Sequence, residues 1–249
     1  MLRVRELSLA YGDTPVLERA SLTVETGQFV SLVGPSGSGK STLLRAIMRL
    51  QQPSAGSIET DYGPQEIGML FQDDALLPWR RAIQNVALGL RFRGTPAEEA
   101  SSIASGWLRR LGLTGLGNRY PRELSGGQRN RVALAQVLAM KPRLLLMDEP
   151  FAALDAIVRA RVSQDLMTLV ESAGIGVLFV THDLEEALAL SDKVYLLSHG
   201  PRDQVVGEYE VPIPRPREII AARSHPEFAP LLAILWQDLS RTVQEGTAA

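Results

Sequence analysis

Cysteine is absent from all 249 residues. Disulfides and thiolate metal sites are therefore excluded, and the composition is compatible with a reducing compartment. Neither sign of charge dominates: 26 Lys and Arg against 28 Asp and Glu leave a formal net charge of −2, which gives no electrostatic footprint for nucleic acid. No apolar run approaches the ~18 residues of a membrane-spanning helix. The opening MLRVRELSLAYG lacks the continuous apolar stretch of a secretory leader. The expectation is a chain soluble by itself, which leaves docking onto a membrane protein open. Internal repeats and low-complexity segments are also lacking. What is present is ordinary globular composition, 45% hydrophobic and 22% charged, ample for the core of one large domain or two small ones.

Residues 2–9 alternate, and 21–33 end in the apolar run QFVSLV at Gly34; both segments predict strands. Residues 40–50 predict a helix with Leu43, Leu44, Ile47 and Leu50 on one face. QQPSAGS reads as a turn, and SIET and EIGMLFQ as further strands. Between about residues 74 and 139 helical patterns dominate, broken at RGTP and RYPREL. Strand runs return at 143–148 (RLLLMD) and 175–182 (IGVLFVTH), with a helix-like 156–173 between them. That alternation predicts an α/β fold, a mostly parallel sheet with helices around it and a helical block inserted. A tail begins near VPIPRPRE, and in it Phe228, Leu231, Leu232, Leu235, Trp236 and Leu239 share one helical face.

The sequence carries two glycine-rich loops. The first, Gly34, Pro35, Ser36, Gly37, Ser38, Gly39, Lys40 and Ser41, follows a strand, precedes a helix and matches the P-loop pattern. Glycines let successive backbone N–H groups wrap phosphate oxygens, and the helix presents its positive end to the same anion. Lys40 reaches the β- and γ-phosphates, Ser41 ligates Mg²⁺, and Thr42 adds a phosphate hydrogen bond. LLLMDE supplies the acidic partner at a strand end, where open α/β sheets bind ligands. Asp148 holds the metal and Glu149 orients and deprotonates an attacking water. The alternative for this pair is helix capping. His182 ends the strand FVTH, where an imidazole contacts the γ-phosphate; His199 and His225 lack that setting and are read as structural. Gln72 ends EIGMLFQ, where its amide either contacts Mg²⁺ and the water or is a surface group.

GPSGSGKS, Gln72, LSGGQ, LLLMDE, AALD and VTHD occur in the order of ATP-binding-cassette ATPase subunits, which this sequence resembles from about residue 2 to 210. The resemblance implies a RecA-like P-loop NTPase core, an antiparallel β subdomain and an inserted α-helical subdomain near 74–139, within a unit spanning 1–210, followed by a tail over 211–249. It implies ATP and Mg²⁺, and it gives the second loop a purpose. Ser125, Gly126 and Gly127 would contact the γ-phosphate held by a second copy, and Gln128 its nucleotide. Ser125 and Gln128 also have capping-box spacing, and the two roles are compatible. Tyr11 would stack on adenine or be a strand-end tyrosine. Asp155 would link two composite sites, and read alone it is a helix cap.

The resemblance further implies a homodimer docked on a membrane permease with a solute-binding protein, at the cytoplasmic face. The cluster Ala75, Leu76, Leu77, Pro78 and Trp79 lines the groove for a permease helix or is buried in the helical block. LLPW and PRPR resemble the ATPases of nitrate, sulfonate and taurine importers; PRPR otherwise reads as an extended linker. The tail helix packs on its own core, or serves dimerisation or solute sensing. Asn130, Gln136 and Ala152 depart from the family's usual residues, which puts the salt-bridge pattern of the helical block in doubt. A soluble cassette ATPase acting on DNA or ribosomes is the other class, against which stand the single P-loop and the lack of heptads. A regulatory module that dimerises without turnover is a third, against which stand Glu149 and His182.

Overall fold

This computed structural model describes residues 1–71, 74–152, 154–198 and 204–247. The alternating start of the chain forms β1 (Leu2–Tyr11) and β2 (Thr14–Val24). β3 (Phe29–Val33) runs into α1 (Lys40–Ile47), followed by β4 (Ala55–Thr60) and β5 (Ile67–Leu70). Three helices come next, α2 (Ala82–Phe92), α3 (Ala97–Arg110) and α4 (Gly126–Ala139). Then β6 (Leu144–Asp148), α5 (Ala156–Ala173), β7 (Gly176–Thr181), α6 (Leu184–Leu190) and β8 (Lys193–Leu197) alternate. The chain closes with β9 (Val205–Glu210), α7 (Ile219–Ala222) and α8 (Phe228–Thr247).

Strands β2-β1-β4 form an antiparallel sheet, and β5-β6-β7-β3-β8-β9 a second one, parallel except at β9. The central strands β6, β7 and β3 are buried along their whole length and almost entirely apolar because both faces are covered. Period-two alternation divides them between two cores. Phe29, Val33, Leu145, Met147, Val177 and Phe179 face the side that holds α5, α6 and the tail. Val30, Leu32, Leu144, Leu146, Leu178 and Val180 face α1 and the antiparallel sheet. The mostly parallel sheet expected from the sequence is therefore present.

Three local expectations are corrected. Residues 21–33 are two strands in different sheets, because a turn with Gly27 at φ +73° and Gln28 N bonded to Glu25 O (3.1 Å) separates them. Residues 14–20, β8 and β9 were not anticipated. Helix α1 stops at Ile47: Arg49 takes φ +59° and Leu50 N reaches back to Arg45 O (2.8 Å), a left-handed cap that turns Leu50 out to 64% exposure. In the tail, Phe228 and Leu235 are buried and Leu231, Leu232 and Leu239 pack against the core, whereas Trp236 is exposed.

PRPR is not a solvated linker. Arg215 pairs with Asp192 and donates to Gly27 O at 3.0 Å, while Arg217 is buried and donates to Ile213 O and Ser191 O. Arg217 also meets Asp192 Oδ1 at 3.1 Å, and Asp192 Oδ2 accepts Phe29 N at 2.8 Å. One carboxylate thus holds the tail onto the start of β3. Removing one partner of a buried pair strands the other charge, so Asp192→Ala is expected to lower unfolding free energy by about 3 kcal/mol. Urea denaturation checks this, and an unchanged midpoint would show that the tail is held by its apolar face alone.

Candidate functional site: a phosphate pocket at three strand ends

Register decides where the chemistry gathers. Val33 pairs with Thr181, and Asp148 with Val180, in the adjacent parallel strands β6, β7 and β3. The residues that follow, Gly34, Glu149 and His182, consequently leave the sheet at one edge. Glycine is required at 34, since a Cβ there would lie 2.9 Å from both Leu197 Cβ and Ser38 Oγ. Gly37 and Gly39 take φ +85° and +79°, values that side chains disfavour. The resulting loop curls over the start of α1. A cavity of about 510 Å³ opens there, lined by Tyr11, Val16, residues 36–42 and Glu149. Lys40 is buried, and its Nζ donates to Gly34 O (2.8 Å), Pro35 O (2.6 Å) and Ser38 Oγ (3.3 Å), which fixes the ammonium inside the loop. The Tyr11 hydroxyl, hydrogen-bonded to Thr42 and to Arg45, is held below the usual phenol range.

Asp148 is buried and hydrogen-bonded to Ser41; burial first, and the Glu149 charge second, push its carboxyl above the usual range. A cation brought beside Asp148 and Ser41 would relieve that strain, so the donor pair fits a hard divalent ion that keeps other oxygen ligands from water or phosphate. Among the described residues no group of three or more His, Cys, Asp or Glu could hold a metal. Glu149 adopts φ +45°, a left-handed backbone unusual for glutamate, held by its N–H on Val180 O (2.9 Å). Its Oε2 lies 3.1 Å from Nδ1 of His182. Gln72 lies outside the described residues, as does His199. His225 accepts the N–H of Glu227 in the tail, away from this site.

The second glycine loop does not line its own chain's cavity. Ser125 caps α4: its Oγ accepts Gln128 N (3.3 Å) and its N–H donates to Gln128 Oε1 (2.9 Å), a complete capping box. Gly126 opens the helix beside it. A Cβ on Gly127 would stand 3.0 Å from Leu154 Cδ2, so this loop packs against the segment that leads to Asp155. Asp155 caps α5 by accepting Val158 N at 3.0 Å. The structure therefore brings Tyr11, the first loop, Asp148, Glu149 and His182 together, and sets Ser125 to Gln128 with Asp155 apart from them.

Sequence reasoning missed Glu186 and Arg159. Thr181 Oγ1 donates to Glu186 Oε2 at 3.0 Å, and Arg159 reaches Asp183 at 3.7 Å and Leu154 O at 3.1 Å. The signal available was a glutamate four residues after His182, in a segment for which no helix was anticipated.

A family model described as ABC transporter matches residues 17–152, more than half of the chain. The chain belongs to the ABC transporter family. An aliphatic sulfonates import ATP-binding protein of Rhodococcus jostii (strain RHA1) is 43% identical, covering 94% of this chain and 92% of that protein. A taurine import ATP-binding protein of Yersinia pestis bv. Antiqua is 44% identical over 81% of each. A solved dimeric ATP-binding cassette in a post-hydrolysis state, bound to ADP and Pi, superposes with TM-score 0.77 at 32% identity over 85% of this chain and 99% of that one. The chain is an ABC ATPase, and its RecA-like core with antiparallel sheet and helices is the ABC fold.

Burial pushes the Glu186 carboxyl up to about 7 from an ordinary 4.5, with Thr181 and Arg159 opposing and Asp183 adding to the rise. Ionising it in the folded cassette costs stability. That cost is absent below pH 4.5, grows as pH rises and is complete above 7. Between pH 5 and 8 the wild type is expected to lose on the order of 3 kcal/mol more than Glu186→Gln in urea unfolding. Parallel stability–pH curves would exclude a raised value.

Proposed function

We propose that two copies of this ABC ATPase clasp two ATP molecules head to tail, and that closure and hydrolytic reopening power import of a small solute through a separate permease. The relatives' names point to a nitrate-, sulfonate- or taurine-like solute, and a solute-binding protein would deliver it. No helix among the described residues is long and apolar enough to cross a membrane, which suits a peripheral subunit at the cytoplasmic face. Residues 1–210 form the ATPase unit, with the helical part near 74–139 inserted and 211–249 as its tail.

One observation carries this reading: the phosphate cavity is walled by the first loop and Glu149, while the capped N-terminus of α4 with Ser125, Gly126 and Gly127 stands outside it. A helix N-terminus has unspent N–H donors and a favourable dipole end for an anion. The γ-phosphate offered by a second copy satisfies them. Tyr11 stacks on adenine, Gly34 to Thr42 wrap the phosphates, and Gln128 and Asp155 complete the contact between copies. Ser41, Asp148 and Gln72 would hold Mg²⁺, which supplies charge neutralisation on the phosphates. Lys40 neutralises the γ-phosphate. Glu149 takes the proton of the water as its oxygen attacks phosphorus, the bond to the bridging oxygen breaks, and ADP and inorganic phosphate leave. His182 holds the transferred phosphate and steadies Glu149. Positioning and fixed charge supply the acceleration.

A trough of about 250 Å³ lined by Gln65, Phe71, Asp74, Ala75, Arg93 and Met140 suits the permease helix. Leu76 is buried in the core and Trp79 is exposed, so the LLPW segment contributes to both core and surface. Asp74 pairs with Arg129 at 2.8 Å, and Arg129 donates to Leu124 O, which links this trough to the loop facing the partner's ATP.

Glu149→Gln is expected to bind ATP normally and accumulate a nucleotide-bound dimer, with turnover reduced at least about 100-fold; native turnover would remove Glu149 as the base. A mixed dimer with Lys40→Ala on one copy and Ser125→Arg on the other should place both lesions in one composite site and leave the second intact. ATP-binding stoichiometry reads this out, and two damaged sites would refute the head-to-tail arrangement.

A further inference from the structure

His182 stands on a two-residue turn between β7 and α6 with its side chain 61% exposed, and its ring meets Glu149 at 3.1 Å. An exposed imidazole on a turn has several rotamers open to it, so something must fix the turn. Thr181 and Asp183 flank it, and both are tied to Glu186. Thr181 Oγ1 donates to Glu186 Oε2 at 3.0 Å and accepts the N–H of Asp183 at 3.1 Å. Asp183 Oδ1 in turn accepts the N–H of Glu186 at 3.0 Å. Arg159 then bridges from Asp183 to Leu154 O, one residue before Asp155. A polar cavity of about 60 Å³ beside Glu149 is walled by Ala152 and these same residues, Arg159, Thr181, His182, Asp183 and Glu186.

The arrangement is expensive for a purely structural one. Glu186 is buried and its Oε1 has no hydrogen-bond partner; Nε of Arg159 is likewise unpartnered. A neutral side chain of the same shape would cost less. We propose that Glu186, acting through Thr181 and Asp183 and anchored by Arg159, is a positioning residue that sets the pose of His182 against Glu149 and couples that pose to the Asp155 loop. The inference rests on reading His182 as the contact to the transferred phosphate. Through Arg159, a shift of the Leu154–Asp155 segment against a partner copy is felt at the histidine turn of the same chain.

The chain has three histidines, so imidazole NMR of the full-length protein reads the pose directly, with the His182 signal assigned by its loss in His182→Ala. Thr181→Val keeps the volume and removes the donor; Glu186→Ala removes the acceptor; Glu186→Gln restores one. Thr181→Val and Glu186→Ala are each expected to displace the His182 signal, leave the other two imidazole signals in place, and lower kcat about tenfold with KM for MgATP within about twofold. Glu186→Gln should return both signal and kcat to within about threefold of native. A fall in kcat without movement of the His182 signal would reduce Glu186 to a structural role, and native kcat in Thr181→Val would overturn the proposal even if Glu186→Ala fails to fold. Native turnover by His182→Ala is the separate outcome that removes the underlying reading of the histidine, and the proposal with it.

Discussion

The parallel ladder joining β6, β7 and β3 is the constraint on which the rest depends. Its hydrogen bonds fix register, and a slip of one residue would exchange every side chain between the two cores. Because Phe29, Met147 and Phe179 fill one core and Leu32, Leu146 and Val180 the other, such a slip is strongly opposed. The functional consequence is that Gly34, Glu149 and His182, distant in sequence, leave three adjacent strands at the same edge. Glu149 then departs in a left-handed conformation held by Val180 O. That backbone choice bends the chain away from the sheet immediately after the buried Asp148, so two consecutive carboxylates face different surroundings. One lies against Ser41, the other against His182.

Much of this was legible in the chain because its signals are local. A buried apolar run ending in Gly34, the loop pattern after it and the acidic pair after LLLM each announce themselves within a few residues. The parallel sheet follows from their alternation with helices. The failures were of another kind. The break between β2 and β3 hinges on Gly27, whose positive φ is invisible without the turn around it. The edge strand β9 alternates half-buried and exposed residues and pairs antiparallel with β8, which periodicity does not distinguish from loop. The role of PRPR depends on Asp192, a residue far back in sequence whose carboxylate gathers two arginines and a backbone N–H. Glu186 and Arg159 escaped for the same reason: their meaning lies in which distant group each one touches.

Helix α4 gives the fold a means of carrying force between surfaces. Its first turn is capped by Ser125 and Gln128, and Gly127 packs on Leu154. Arg129, two residues on, reaches Asp74 at the edge of the trough. Asn130 donates to Pro150 O at 3.1 Å, immediately after Glu149. The departure from the family's usual residue at 130 therefore does not leave the position idle; a short amide joins the helix to the strand-end turn. Gly127, Arg129 and Asn130, close together at the start of one helix, thus touch the Asp155 segment, the trough and the turn after Glu149. A helix transmits displacement along its length with little loss because its hydrogen bonds close within each turn.

Under the head-to-tail reading these contacts explain why each copy holds only half a site. A chain that enclosed its own ATP with both glycine loops would have no reason to move when the γ-phosphate left. Here the Ser125–Gln128 box satisfies part of the start of α4 within the chain, and N–H groups left over at a helix start are open to water or to an anion from outside. Binding energy then appears as closure between copies and is released when phosphate departs. Closure presses on the Leu154–Asp155 segment, Arg159 passes that displacement to Asp183, and the pose of His182 follows. Hydrolysis competence and dimer closure become one event because the same short chain of contacts serves both.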